Sequence, residues 1–84
     1  VMLLSVCPNS YIKAQGVGIN PAGNSPHPSA GLDVDFNDKG ILIPRLTTLQ
    51  RDAILNPAEA LMIYNTTTNK LNVFTTIWEQ VTSS

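Results

Sequence analysis

From Leu61 to Val81 the chain is cut into short apolar runs by polar turns, and that pattern leaves few folds open to it. Leu61-Met62-Ile63-Tyr64 is the first run, Leu71-Asn72-Val73-Phe74 the second and Ile77-Trp78-Glu79-Gln80-Val81 the third. Runs this short, rich in Ile, Val and aromatic residues and bounded by Asn and Thr, read as strands. Asn65-Thr66-Thr67-Thr68-Asn69-Lys70 turns the chain between the first two, and Thr75-Thr76 breaks it before the third. A β-meander is expected, with Trp78 as its main packing anchor because aromatic side chains dominate core energetics.

Just upstream, Thr47 is a good helix N-cap and Gln50 stands three residues on, which makes a capping box. A helix is expected over about 48–55, stopped by Asn56-Pro57 because the residue before proline is pushed out of the helical region. Two turns are unstable alone and must dock on the sheet or on a neighbouring chain. Leu32-Asp33-Val34-Asp35-Phe36 alternates like a half-buried strand, with the apolar residues inward. Asn37-Asp38-Lys39-Gly40 is turn chemistry, with Gly40 free to take positive φ. Ile41-Leu42-Ile43 then reads as a second strand that ends, or lies on an edge, at Pro44, so residues 32–43 are expected as a hairpin or sharp bend. Residues 16–31 are crowded with Gly and Pro and form a turn segment, with one short strand at Val17-Gly18-Ile19.

The chain has 84 residues, enough for one small domain, and 13% charged residues at a net charge of −1. A nucleic-acid binder would carry a basic patch. One Cys excludes an internal disulfide and a Cys-based zinc site. Val1-Met2-Leu3-Leu4-Ser5-Val6 followed by a polar stretch reads as the back half of a secretory leader, with cleavage expected near Ala14-Gln15. Residues 1–15 are therefore expected to be a signal-peptide remnant, the alternative being a short N-terminal strand or helix retained in the fold. The apolar run falls far short of the about 20 residues a membrane span needs. Leu4-Ser5-Val6-Cys7 approximates a lipobox, although Val6 is larger than the residue wanted before an acylated Cys; an inert leader or a buried thiol is the simpler reading of Cys7.

No catalytic constellation stands out. His27, the one histidine, lies between Pro26 and Pro28 with Ser25 and Ser29 nearby, and a Pro-rich loop does not preorganise a triad. Gly16-Val17-Gly18 lacks the third glycine and the helix of a nucleotide fingerprint. No metal or cofactor is expected. Asp33, Asp35 and Asp38, with Asn37, are weak calcium candidates, because hard cations want several oxygens; a solvated strand face explains them as well. Tyr64, Phe74 and Trp78 could make an aromatic patch for glycans, and Asn65-Thr66-Thr67 matches the N-glycosylation pattern. Arg45 could pair with Asp52 or with an acid of a neighbouring chain.

The order Val17-Gly18-Ile19-Asn20, Leu32-Asp33-Val34, Lys39-Gly40-Ile41-Leu42-Ile43-Pro44-Arg45-Leu46-Thr47-Thr48, Gln50-Arg51-Asp52-Ala53-Ile54, Pro57-Ala58 and Leu61-Met62-Ile63-Tyr64-Asn65-Thr66 resembles a recurrent module. That module occurs in secreted surface proteins of the Bacteroidetes phylum and in phage tail-fibre-like proteins. The resemblance covers about residues 15–82. It implies an extracellular, fibre-like and trimeric role at a cell surface or in a virion tail fibre. The chain departs from the module at Phe74-Thr75-Thr76-Ile77, where a Tyr-Asn-Gly type turn is usual, so the last hairpin is expected to carry a different loop.

The fold expected is mainly β, a hairpin and meander with one short capped helix in a module over 32–84. Its apolar strands exceed what so small a chain can cover, so trimeric association should complete it. Arg45, Leu61, Ile63, Tyr64 and Trp78 are the expected interface residues. The function expected is a non-enzymatic structural or adhesion module, self-associating and open to a cell-surface or glycan partner. The alternative is a monomeric carbohydrate- or ion-binding module of a secreted protein.

Overall fold

A computed structural model of the chain describes residues 15–82. The leader expected at the N-terminus (Gln15 aside) and Cys7 lie outside the described residues. Over the described residues the chain is mainly β, with two sheets and one short helix. It divides into two compact units that meet at Gly40 and Ile41.

In the first unit, β1 (Val17–Ile19) pairs in parallel with β2 (Leu32–Val34), Val17 opposite Leu32 and Ile19 opposite Val34. Parallel neighbours need a long connection, and residues 20–31 supply it. Asn20 organises its start: its Oδ1 accepts from the Ala22 and Asn24 N–H groups at 3.1 and 2.8 Å. Such side-chain-to-backbone closure is why Asn favours turns. The returning loop lies tight against β1. A Cβ at Gly16 would come within 2.8 Å of the Ala30 carbonyl oxygen, and one at Gly18 within 3.1 Å of the Asn24 oxygen.

The expected 32–43 hairpin does not form. β2 has β1 as its partner, and Ile41–Ile43 belong to no strand. Gly40 does not take positive φ; Gly23 does, at 73°. Leu32 is exposed while Val34 and Phe36 are half-buried, so the expected inward face at 32–36 holds for two of its three apolar residues.

The second unit is a four-stranded sheet in the order β3-β4-β5-β6. β3 is Arg45–Leu46, α1 is Thr48–Asp52, β4 is Met62–Asn65, β5 is Lys70–Phe74 and β6 is Trp78–Val81. The expected meander is β4-β5-β6, antiparallel throughout. Pro44 begins a strand pairing where it was expected to end one. Proline lacks the N–H but keeps its carbonyl, and the Pro44 oxygen accepts from the Tyr64 N–H at 2.8 Å. The Leu46 oxygen then accepts from Thr66, so β3 runs parallel to β4 with α1 as part of the crossover.

The capping box is complete. Thr47 Oγ1 accepts from the Gln50 N–H at 3.1 Å, and Gln50 Oε1 accepts from the Thr47 N–H at 2.9 Å. The helix stops at Asp52, short of the expected 55. Its last bonds run from Ala53 to Gln50 and from Ile54 to Arg51, the tighter i to i−3 spacing that closes helices. Asn56, held before Pro57, sits at φ 49°. Among the described residues no helix is long and apolar enough to cross a membrane.

Candidate functional site

The two faces of the second sheet have opposite characters. Directly paired residues share a face, so the register places Ile63, Asn65, Asn72, Phe74, Trp78 and Gln80 on one side. This is the side that meets α1. Ile63 is 3% exposed and is the one fully buried apolar side chain among the described residues. Beside it lie two polar residues, Asn65 at 1% and Asn72 at 0% exposure.

Those asparagines are joined to the helix. Asn72 Oδ1 accepts from Arg51 Nη1 at 2.9 Å and from Asn65 Nδ2 at 3.0 Å. Asn65 Oδ1 accepts from the Thr67 and Thr68 N–H groups of the hairpin turn at 2.9 and 3.2 Å, and Asn65 Nδ2 donates to Thr48 Oγ1 at 3.0 Å. Arginine can only donate, and so can the turn amides, which fixes the orientation of both side-chain amides. Asn72 Nδ2 has no partner among the described residues. Arg51 also binds Asp52 at 2.8 Å and lies over the Trp78 ring at 5.5 Å, while Trp78 meets Phe74 edge-on at 5.3 Å. The buried polar network and the aromatic pair together hold α1 to the sheet.

The outer face is apolar and open. The same register places Arg45, Met62, Tyr64, Leu71, Val73, Glu79 and Val81 there. The segment Ile41–Ile43 forms one wall of a groove of about 700 Å³, with Arg45, Met62, Tyr64 and Leu71 as its remaining lining. Leu42 is 81% exposed and Met62 49%. Arg45 Nη1 donates to the Ile43 carbonyl at 3.0 Å, and its guanidinium meets no carboxylate among the described residues.

Residues 16–84 match the family described as the phage tail like trimerisation region. The chain belongs to that family. No curated protein matches it, and no solved structure does. Membership supports self-association and a structural role, and it agrees with the tail-fibre-like resemblance read from the motifs.

Within this trimerisation region the expected residues separate. Arg45 and Tyr64 come together in the groove, and Leu61 lies exposed just before β4. Ile63 and Trp78 lie on the helix side, packed within their own chain. Asp52 pairs with Arg51, not with Arg45. The aromatic patch does not assemble, because Tyr64 faces away from Phe74 and Trp78. Asn65 of the glycosylation pattern is buried, with its amide engaged. Asp33, Asp35 and Asp38 do not gather: Asp33 Oδ2 accepts from the His27 backbone N–H at 2.9 Å, and no cluster of metal-ligating side chains forms among the described residues. His27 does meet Ser29, its Nδ1 lying 2.8 Å from Ser29 Oγ. That nitrogen also accepts from the Ser29 N–H at 3.0 Å, and Asp33 binds the His27 backbone, not its ring. The arrangement closes a turn and lacks the orienting acid of a triad.

Sequence reasoning missed Met62, Leu71 and the Asn65–Asn72 pair. The signal was present. Alternation along β4 puts Asn65 with Ile63, and Asn72 lies between Leu71 and Val73 on the opposite face from both.

Proposed function

We propose that the chain is a structural module that trimerises within an extracellular or tail-fibre-like assembly and helps present that assembly's adhesive surface. One observation carries this reading: Ile63 is the sole fully buried apolar side chain among the described residues, while Leu42, Leu49, Leu55 and Ile77 are all more than 60% exposed. Burial of apolar surface is the main favourable term in folding, and a chain that leaves this much uncovered gains most by associating. Arg45, Leu61 and Tyr64 contribute to the contact surface, joined by Leu42, Met62 and Leu71. Ile63 and Trp78 act from behind it by fixing the sheet to α1. The separation of the aromatic residues onto two faces and the apolar lining of the groove favour a protein surface over a sugar as the occupant.

Light scattering coupled to size exclusion on the full chain over a dilution series tests this. A mass of three chains, constant on dilution, is the expected result. A folded monomer at every concentration overturns it and favours the small monomeric binding module instead.

A further inference from the structure

We propose that three copies of the second unit close into a three-sided prism, outer sheet faces turned inward, with Arg45 of each copy paired with Glu79 of the next. The proposal rests on the self-association reading and adds its geometry.

The register lays the outer face out as two rows across the strands. One runs Arg45, Tyr64, Leu71, Val81 and the other Met62, Val73, Glu79. The middle of the face is apolar, the β3 edge carries a cation and the β6 edge carries a carboxylate. A self-complementary patch pairs copies by twos; a closed ring of three needs two different surfaces that fit each other. The opposite edges of this sheet are two such surfaces, and their charges are opposite. The family match supplies the number of copies.

The pairing is one-to-one. Among the described residues of this unit, Glu79 is the one carboxylate on the outer face. Asp52 is held by Arg51, and Glu59 lies in the turn before β4. Lys70, opposite Asn65, belongs to the helix side and does not compete with Arg45. The two groups cannot meet within one copy, because β3 and β6 are separated by three strand spacings, about 14 Å. Both are held at their rims: Arg45 donates to Ile43, and Glu79 Oε2 accepts from Thr75 Oγ1 at 3.2 Å. Val81, 51% exposed beside Glu79, would then enter the neighbour's groove along Ile41–Ile43. An exposed pair sets register and specificity more than affinity.

The test is a charge exchange in the full chain, read by light scattering on dilution with circular dichroism as the folding check. Arg45→Glu alone and Glu79→Arg alone should each raise the concentration at which half the chains are trimeric about tenfold or more. The double exchange should return it to within about threefold of wild type. A wild-type trimer whose double exchange is as weak as the two singles combined, or whose singles are unaffected, overturns the prism and leaves the self-association reading standing. A wild-type chain that stays monomeric removes both. If a reversed chain fails to fold, the neutral pair Arg45→Met with Glu79→Gln carries the test. Under the proposal, 1 M salt at about a 3 Å screening length weakens the wild-type trimer and not the neutral one, and an equal response in the two overturns it.

Discussion

Asn72 is wholly buried, accepts two hydrogen bonds through Oδ1 and leaves Nδ2 without a partner among the described residues. A buried polar group left without a bond has a cost, and the contribution of the residue lies in the two donors it satisfies. Asn72→Ala would strand the Arg51 and Asn65 donors together. We expect a loss of about 2–3 kcal/mol, the range for a buried donor left unsatisfied with one charged partner, measured by urea denaturation with an unchanged m-value. Ala60 makes the opposite case. It sits at φ 76°, where a Cβ crowds the backbone, with its N–H bonded to the Phe74 oxygen at 2.7 Å. Ala60→Gly removes that strain, and we expect a gain of about 0.5–1 kcal/mol, the left-handed penalty less the entropy of glycine. A lower midpoint would show that the Ala60 methyl has a packing role.

α1 shows how a five-residue helix exists at all. It is too short to form in isolation, and its support comes from both ends of the capping box and from the sheet beneath it. The Thr48 N–H donates to Thr67 Oγ1 at 3.1 Å, tying the first helical residue to the β4–β5 turn. Thr47→Ala should cost about 1 kcal/mol, as for other N-caps, and should loosen that turn too. Hydrogen exchange reads the second effect: the Thr67 and Thr68 amides should lose protection along with α1, and loss confined to α1 would mean the turn stands alone. Thr47 and Gln50 were legible in the sequence because they act within a few residues, whereas the helix closes at Asp52, before the expected stop at Asn56-Pro57 is reached. The start of β3 at Pro44 was not. The proline was read for its missing donor, whereas its carbonyl, given a partner by the fold, opens the parallel ladder.

The whole molecule is short of core. Among the described residues the buried interior is one isoleucine and a polar pair, while Leu42 and Met62 stand exposed on the groove of the outer face. Oligomerisation is one of the ways chains of this size make up such a deficit. Met62→Glu puts a charge in the middle of that face without touching the helix side. We expect the trimer to be lost on light scattering while the far-UV circular dichroism of the sheet persists. Retention of the trimer would move the contact surface elsewhere on the chain.

By itself the sequence determined the local pieces: the three strands of the meander, the capped turn, the Thr-rich hairpin loop, and an apolar excess calling for association. Each depends on neighbours a few residues apart, where alternation, capping and turn chemistry act directly. Tertiary structure decided which residues oppose one another. The β1–β2 parallel pair, the burial of Asn65 and Asn72 under Arg51, and the split of Tyr64 from Trp78 all depend on strand register. A shift of one residue exchanges the faces of a strand, and only the assembled sheet fixes it.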